Sequence, residues 1–151
     1  MTPSEKYVSE LCEKSFLPFW SFPNPIGKKG KELCDIFVVC HNTIIIISVK
    51  DITVSQHKNE SIQYKRWAKK AITDSSDQIH GAERFLENVD EVFSKNRKNK
   101  IKLPPKKSRI IHRIAIAFGS KDNFPLPFGD FGKGFVHIFD EKTKAELVIF
   151  P

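Results

Sequence analysis

The chain lacks what a disulfide scaffold, a zinc module or a membrane protein requires. It has only three cysteines, Cys12, Cys34 and Cys40, with no CxxC pair, and an odd number cannot complete an intrachain disulfide framework. The five histidines stand at no metal-ligand spacing from them. Cys34 and Cys40 lie among apolar neighbours, where a thiol behaves as a small hydrophobe. No basic segment followed by an apolar run opens the sequence, and no apolar stretch approaches the ~20 residues of a spanning helix. These absences predict a cytoplasmic protein with no membrane partner.

What is present is enough apolar material for one core. Hydrophobic residues make up 40% of 151, and thirteen are Phe, which predicts a single globular domain over 1–151. The apolar end, Leu147-Val148-Ile149-Phe150, has no polar stop and leaves room for a further domain after Pro151. The formal charge of +7 suggests a polyanionic partner, but the excess is local. Eight basic residues and no acidic one lie between positions 95 and 109: Lys95, Arg97, Lys98, Lys100, Lys102, Lys106, Lys107 and Arg109. Removing those eight from the 25 leaves 17 basic against 18 acidic residues. Two readings stay open for the run: a solvated, mobile connection, because like charges repel, or a track for phosphates.

Periodicity organises the rest. Ser4, as a cap candidate, precedes Val8, Leu11 and Cys12 at helical spacing, and this helix should end near Phe16. Prolines 18, 23 and 25 punctuate Phe19, Trp20 and Phe22, predicting an ordered turn or short strand. Segments 33–39 and 43–49 predict a β-hairpin turning at His41-Asn42. The unbroken run Ile44 to Ile47 predicts that the second strand is central and covered on both faces. Helices are expected over 64–73 and 75–93, the second capped at Ser76, and strands over 109–118 and 135–140, with a Gly/Pro-rich loop at 119–134 between them. Trp20 and Trp67 read as core anchors, and His41 as a turn residue.

The sharpest constellation is Gly30-Lys31-Glu32-Leu33-Cys34-Asp35 followed on the next strand by Ser48-Val49-Lys50-Asp51. On antiparallel neighbours joined by a tight turn, Asp35 and Lys50 project on one face at one sheet end. Phosphodiester hydrolysis uses such groups: a carboxylate to hold Mg²⁺ against the phosphate, and an ammonium to position water or offset developing charge. This pattern resembles the PD-(D/E)XK nuclease superfamily, in which an acid on one strand precedes an acid-x-Lys triplet on the next. Asp35 matches the first acid and Lys50 the lysine. Glu5 in Glu5-x-x-Val8-x-x-Leu11 is similar to the helix glutamate that many members use as an extra metal contact, and Gln78 to a glutamine near the site in several branches. Phe16-Leu17-Pro18-Phe19-Trp20-Ser21-Phe22-Pro23-Asn24-Pro25, with Lys31-Glu32-Leu33-Cys34-Asp35 and Ile79-His80-Gly81-Ala82-Glu83-Arg84, looks like a family of uncharacterised bacterial proteins assigned to that core.

The resemblance covers roughly residues 4 to 118. It implies an α/β fold with a restriction-endonuclease-like αβββαβ core, a mixed central sheet flanked by helices. It implies a metal-dependent nuclease acting on nucleic acid, DNA in preference to RNA. Asp35 and Glu5 would be the Mg²⁺ (or Mn²⁺) ligands, and Lys50, Ser48 and Gln78 would complete the catalytic set. A homodimer is compatible with this reading. One departure stands out: position 48 is Ser where the family usually has Asp or Glu, and a neutral hydroxyl is a weak ligand for a hard cation. Glu5 or Glu32 could supply the missing charge, although Glu32, three residues before Asp35, would need a bend to share an ion with it. Without such a replacement, the fold would serve as an inactive module binding nucleic acid or a protein partner. None of the five histidines is assigned a catalytic role.

Overall fold

The computed structural model describes residues 1–16, 19–53, 59–119, 129–130 and 133–140. The first helix, α1 (Pro3–Phe16), ends where the periodicity predicts. Its cap is not Ser4. Thr2 Oγ1 accepts the Glu5 N–H at 3.2 Å while the Glu5 carboxylate accepts the Thr2 N–H at 3.0 Å. This is a reciprocal capping box, with Pro3 at the first helical position, where its missing N–H costs nothing. Ser4 instead donates to Asp51 Oδ1 at 2.6 Å. That bond ties the start of α1 to the end of a strand.

Strands β1 (Ser21–Pro23), β2 (Ile36–Cys40) and β3 (Thr43–Asp51) form an antiparallel meander. The β2–β3 turn falls at His41-Asn42, with His41 at a left-handed φ of 53°. Beyond β3 the sheet changes direction. It pairs in parallel with β6 (Ile110–Phe118), which pairs in parallel with β8 (Phe135–Phe139). A two-residue β7 (Gly129–Asp130) closes the edge, giving the order β1-β2-β3-β6-β8-β7. The protein is therefore α/β, with a mixed six-stranded sheet flanked by helices.

The crossover from β3 to β6 departs most from expectation. Asn59 caps α2 (Glu60–Ala68) by accepting the Ser61 N–H at 2.9 Å. A π-helical stretch, Lys69–Asp74, then leads straight into α3 (Ser75–Leu86). No break occurs at Ser76, because Asp74 and Ser75 both keep helical backbone angles. Helix α3 stops at Leu86, not at Phe93. Of the apolar residues that follow, Val89 lies in the connection, and Val92 and Phe93 belong to β4 (Glu91–Phe93), which forms a hairpin with β5 (Lys100–Lys102) in which Val92 and Ile101 are buried. Their spacing continues the helical rhythm, which is why periodicity alone extends the helix too far. Arg109 stops it: the guanidinium donates to the carbonyls of Leu86 (2.7 Å), Val89 (3.1 Å) and Pro104 (2.8 Å). Those bonds add a second donor to the Leu86 carbonyl at the helix end and tie it to the Val89 and Pro104 carbonyls beyond it.

Both faces of the sheet are covered. Phe37, Ile44 and Ile46 pack with Ile79 and Leu86 of α3, while Ile36, Ile45 and Ile47 pack with Val8 and Cys12 of α1. Strand β3 is central, and all four of its isoleucines are buried. Trp67 is fully buried with Ile52, Ala71 and Ala117, whereas Trp20 is half-exposed and rests on Phe19 and His41. At the far end of β3, Ile52 N–H donates to Phe118 O at 2.9 Å, and Gly119 approaches so closely that a Cβ would lie 1.9 Å from the Ile52 carbonyl oxygen. That contact fixes the strand ends beside the candidate site. Part of the 119–134 loop (120–128 and 131–132) and the C-terminal 141–151 segment lie outside the described residues.

Candidate functional site

Strand alternation builds the site. Ser48 and Lys50 share the face of β3 that carries Ile44 and Ile46 toward α3, and Asp35, two residues before Phe37, continues the same face of β2. Extending the β2–β3 register by one step sets Asp35 opposite Ser48. The Val49 N–H donates to Asp35 Oδ2 at 2.6 Å, which pins the carboxyl against β3. Ser48, fully buried, donates to Gln78 Oε1 at 3.1 Å, so the first turn of α3 is tied to the same spot. Lys50 is half-exposed and makes no ion pair among the described residues. Asp35, Ser48 and Gln78 are thus brought together, and Lys50 lies next along their face.

Asp35 is only 6% exposed, yet it holds an ionisable group. Burial pushes its carboxyl up to about 7. The Val49 N–H opposes that shift, while a hydrogen bond with Glu32 and the charges of Glu5 and Glu32 reinforce it. Both acids considered as replacements for the missing carboxylate are therefore near Asp35. They are not equivalent. Glu5 already spends one oxygen on the Thr2 N–H, whereas Glu32 adds more to the raising of the Asp35 carboxyl. The bend that Glu32 needs exists: it sits in an isolated bridge to Ile26, and regular β2 begins only at Ile36.

Among the described residues, no three His, Cys, Asp or Glu side chains converge on one point as an enclosing ion site. Mg²⁺ does not require such a cage, because it commonly binds through one or two carboxylates, water and substrate phosphate. The donors here are hard oxygens; burial is the main cause that raises Asp35, and the charges of Glu5 and Glu32 that add to it are what a divalent cation would offset. The residues fit the ion.

The basic run is a folded hairpin and turn, not an unstructured connection. Lys95, Arg97 and Lys98 occupy its tip, closed by Ser94 and Asn96, with Arg97 at φ 61°. Lys100 pairs with Glu91 at 3.3 Å and lies 5.7 Å from the Phe93 ring centre. Lys102, Lys106 and Lys107 are exposed. Arg109 turns inward onto three carbonyls, so its donors are consumed by the fold. The run therefore divides into surface cations and one structural arginine.

His80 is also internal, 5% exposed and 3.6 Å from Glu83, which binds Arg113 of β6 through two 2.6 Å bonds. Burial alone would raise the Glu83 carboxyl; the bonds and charge of Arg113, helped by His80, bring it below the ordinary range. This cluster fastens α3 to the sheet. Thr2-x-x-Glu5 is a sequence signal for the capping role of Glu5, whereas Glu32, a candidate for the missing charge, depends on a bend that no motif announces. In comparisons with known proteins, no family, no curated protein and no solved structure matches this chain. The resemblance thus rests on its motif residues alone.

Proposed function

We propose that the chain is a metal-dependent nuclease that hydrolyses phosphodiester bonds in nucleic acid, with DNA the favoured substrate. The observation that carries this reading is Asp35 held against β3 beside Ser48, Lys50 and Gln78 at one sheet end. The order α1, β1, β2, β3, helix, β6 supports a restriction-endonuclease-like core. Asp35 would hold Mg²⁺ or Mn²⁺, with Glu32 a better-placed second acid than Glu5. When bound, the cation would polarise the phosphate and lower the proton affinity of water. Lys50 orients the attacking water and offsets charge developing on the phosphate. Ser48 holds Gln78, whose amide group positions water or a phosphate oxygen.

A second reading, a binding module without catalysis, is favoured by one observation: Ser48 is engaged with Gln78 and Glu5 with Thr2, which leaves Asp35 and Glu32 as the acids at the centre. Cleavage of labelled single- and double-stranded DNA and RNA with Mg²⁺ or Mn²⁺ separates the two. For the nuclease, Lys50→Ala lowers the rate about 10²–10³-fold and Asp35→Ala at least as much. Activity that survives both substitutions refutes the assignment. Absence of cleavage in every condition, with salt-sensitive binding intact, establishes the binding module.

A further inference from the structure

A groove of about 430 Å³ runs between the 28–31 turn and α3, lined by Lys28, Lys29, Lys31, Glu32, Gln78 and Gly81 among others. It shares two residues with the candidate site. Gln78 bonds Ser48, and Glu32 lies three residues before Asp35 on the chain leading into β2. The opposite wall is strongly basic. Lys28, Lys29 and Lys31 are exposed and form no ion pair among the described residues. Arg97 joins them from the basic hairpin: its guanidinium lies 2.7 Å from where a Cβ on Gly30 would stand, and the Ile26 N–H bond to Phe93 O (2.9 Å) clips that hairpin to the turn. Four cations thus gather from two distant stretches of sequence.

Gly81 provides an independent observation. It lies inside α3, where glycine disfavours the helix, and a Cβ there would meet nothing nearer than Arg84 at 3.7 Å. No packing among the described residues requires glycine at this position. Its effect is to leave the helix backbone open toward the groove. A phosphate backbone passing close to a helix would use that space.

We infer that this groove takes one phosphodiester strand, with Lys28, Lys29, Lys31 and Arg97 paired to its phosphates and Gly81 allowing its close approach, and leads it to the Asp35 centre. The inference rests on the nucleic-acid reading and assigns the strand's path to the 28–31 turn, not to the basic run as a whole.

The test measures binding of a fluorescein-labelled single-stranded oligodeoxynucleotide by anisotropy in chelator, so that cleavage plays no part. Lys28→Ala/Lys29→Ala/Lys31→Ala should weaken binding about tenfold or more and reduce the salt slope by about 2. Lys102→Ala/Lys106→Ala/Lys107→Ala removes the same charge from residues outside the groove and should cost much less. Gly81→Ala should raise Tm by ~2–4 °C yet weaken binding. Equal losses for the two triple variants, or Gly81→Ala binding like wild type, overturn the groove assignment while leaving the nucleic-acid reading intact. Wild type that fails to bind overturns both.

Discussion

At the scale of single residues, Asp35 is where pH acts most directly. Its carboxyl is raised to about 7 in the folded protein, so folding favours the protonated form. The stability it contributes is fully present below about pH 4 and is lost as pH rises through about 7, because the folded state binds more protons than the unfolded one in that window. Asp35→Asn keeps an acceptor for the Val49 N–H without the charge. In chelator near pH 8 it should be more stable than wild type by on the order of 2 kcal/mol, with the gap closing toward about pH 4. Urea unfolding across that range checks it; a gap that does not change with pH refutes the shift. The same residue shows how far sequence reaches. Asp35, Ser48 and Lys50 were legible because a two-residue turn and strict alternation leave their face little freedom. Glu32 was legible only as a candidate that needs a bend, because irregular backbone follows no period that would fix its direction.

At the scale of elements, the end of α3 depends on a residue 23 positions away. Arg109→Ala removes the guanidinium donors from the Leu86, Val89 and Pro104 carbonyls and should cost about 2–3 kcal/mol in chemical denaturation. Arg109→Lys should recover only a minor part, since a single ammonium cannot span three diverging carbonyls. Oligonucleotide affinity of the folded variant should stay at the wild-type level; a loss comparable to that of the turn lysines would return Arg109 to the binding surface. Neither the α3 end nor this cap was readable beforehand. Val89, Val92 and Phe93 continue the apolar spacing of the helix, and what interrupts them is a long-range bond. Likewise the π-helical stretch at Lys69–Asp74 merges two helices that the sequence divides, since Asp74-Ser75-Ser76-Asp77 reads as a cap when its backbone angles are unknown.

For the whole molecule, the sheet is a partition with a helix layer on each side, and β3 is its middle. Ile46 faces α3 and Ile47 faces α1, both at 0% exposure. Ile46→Ala and Ile47→Ala should therefore each cost about 2–5 kcal/mol in equilibrium unfolding. A strand covered on one side only would tolerate one of them at under about 1 kcal/mol. This architecture was the most legible level: four consecutive isoleucines have no stable place except between two layers. The neighbours of β3 were not legible to the same degree, because parallel pairing with β6 joins segments separated by the whole crossover.

That change of strand direction at β3 gives the site two histories. Asp35, Ser48 and Lys50 come from a hairpin closed by a two-residue turn, which needs little loop-closure entropy and can form early in folding. Gln78 and the α3 wall of the groove arrive only when the long crossover docks and β6 aligns. A partial opening that releases the crossover would separate the Ser48–Gln78 pair and open the groove, while the Asp35 hydrogen bond to Val49 stayed whole. The Asp35–Val49 pair can thus outlast the groove beside it.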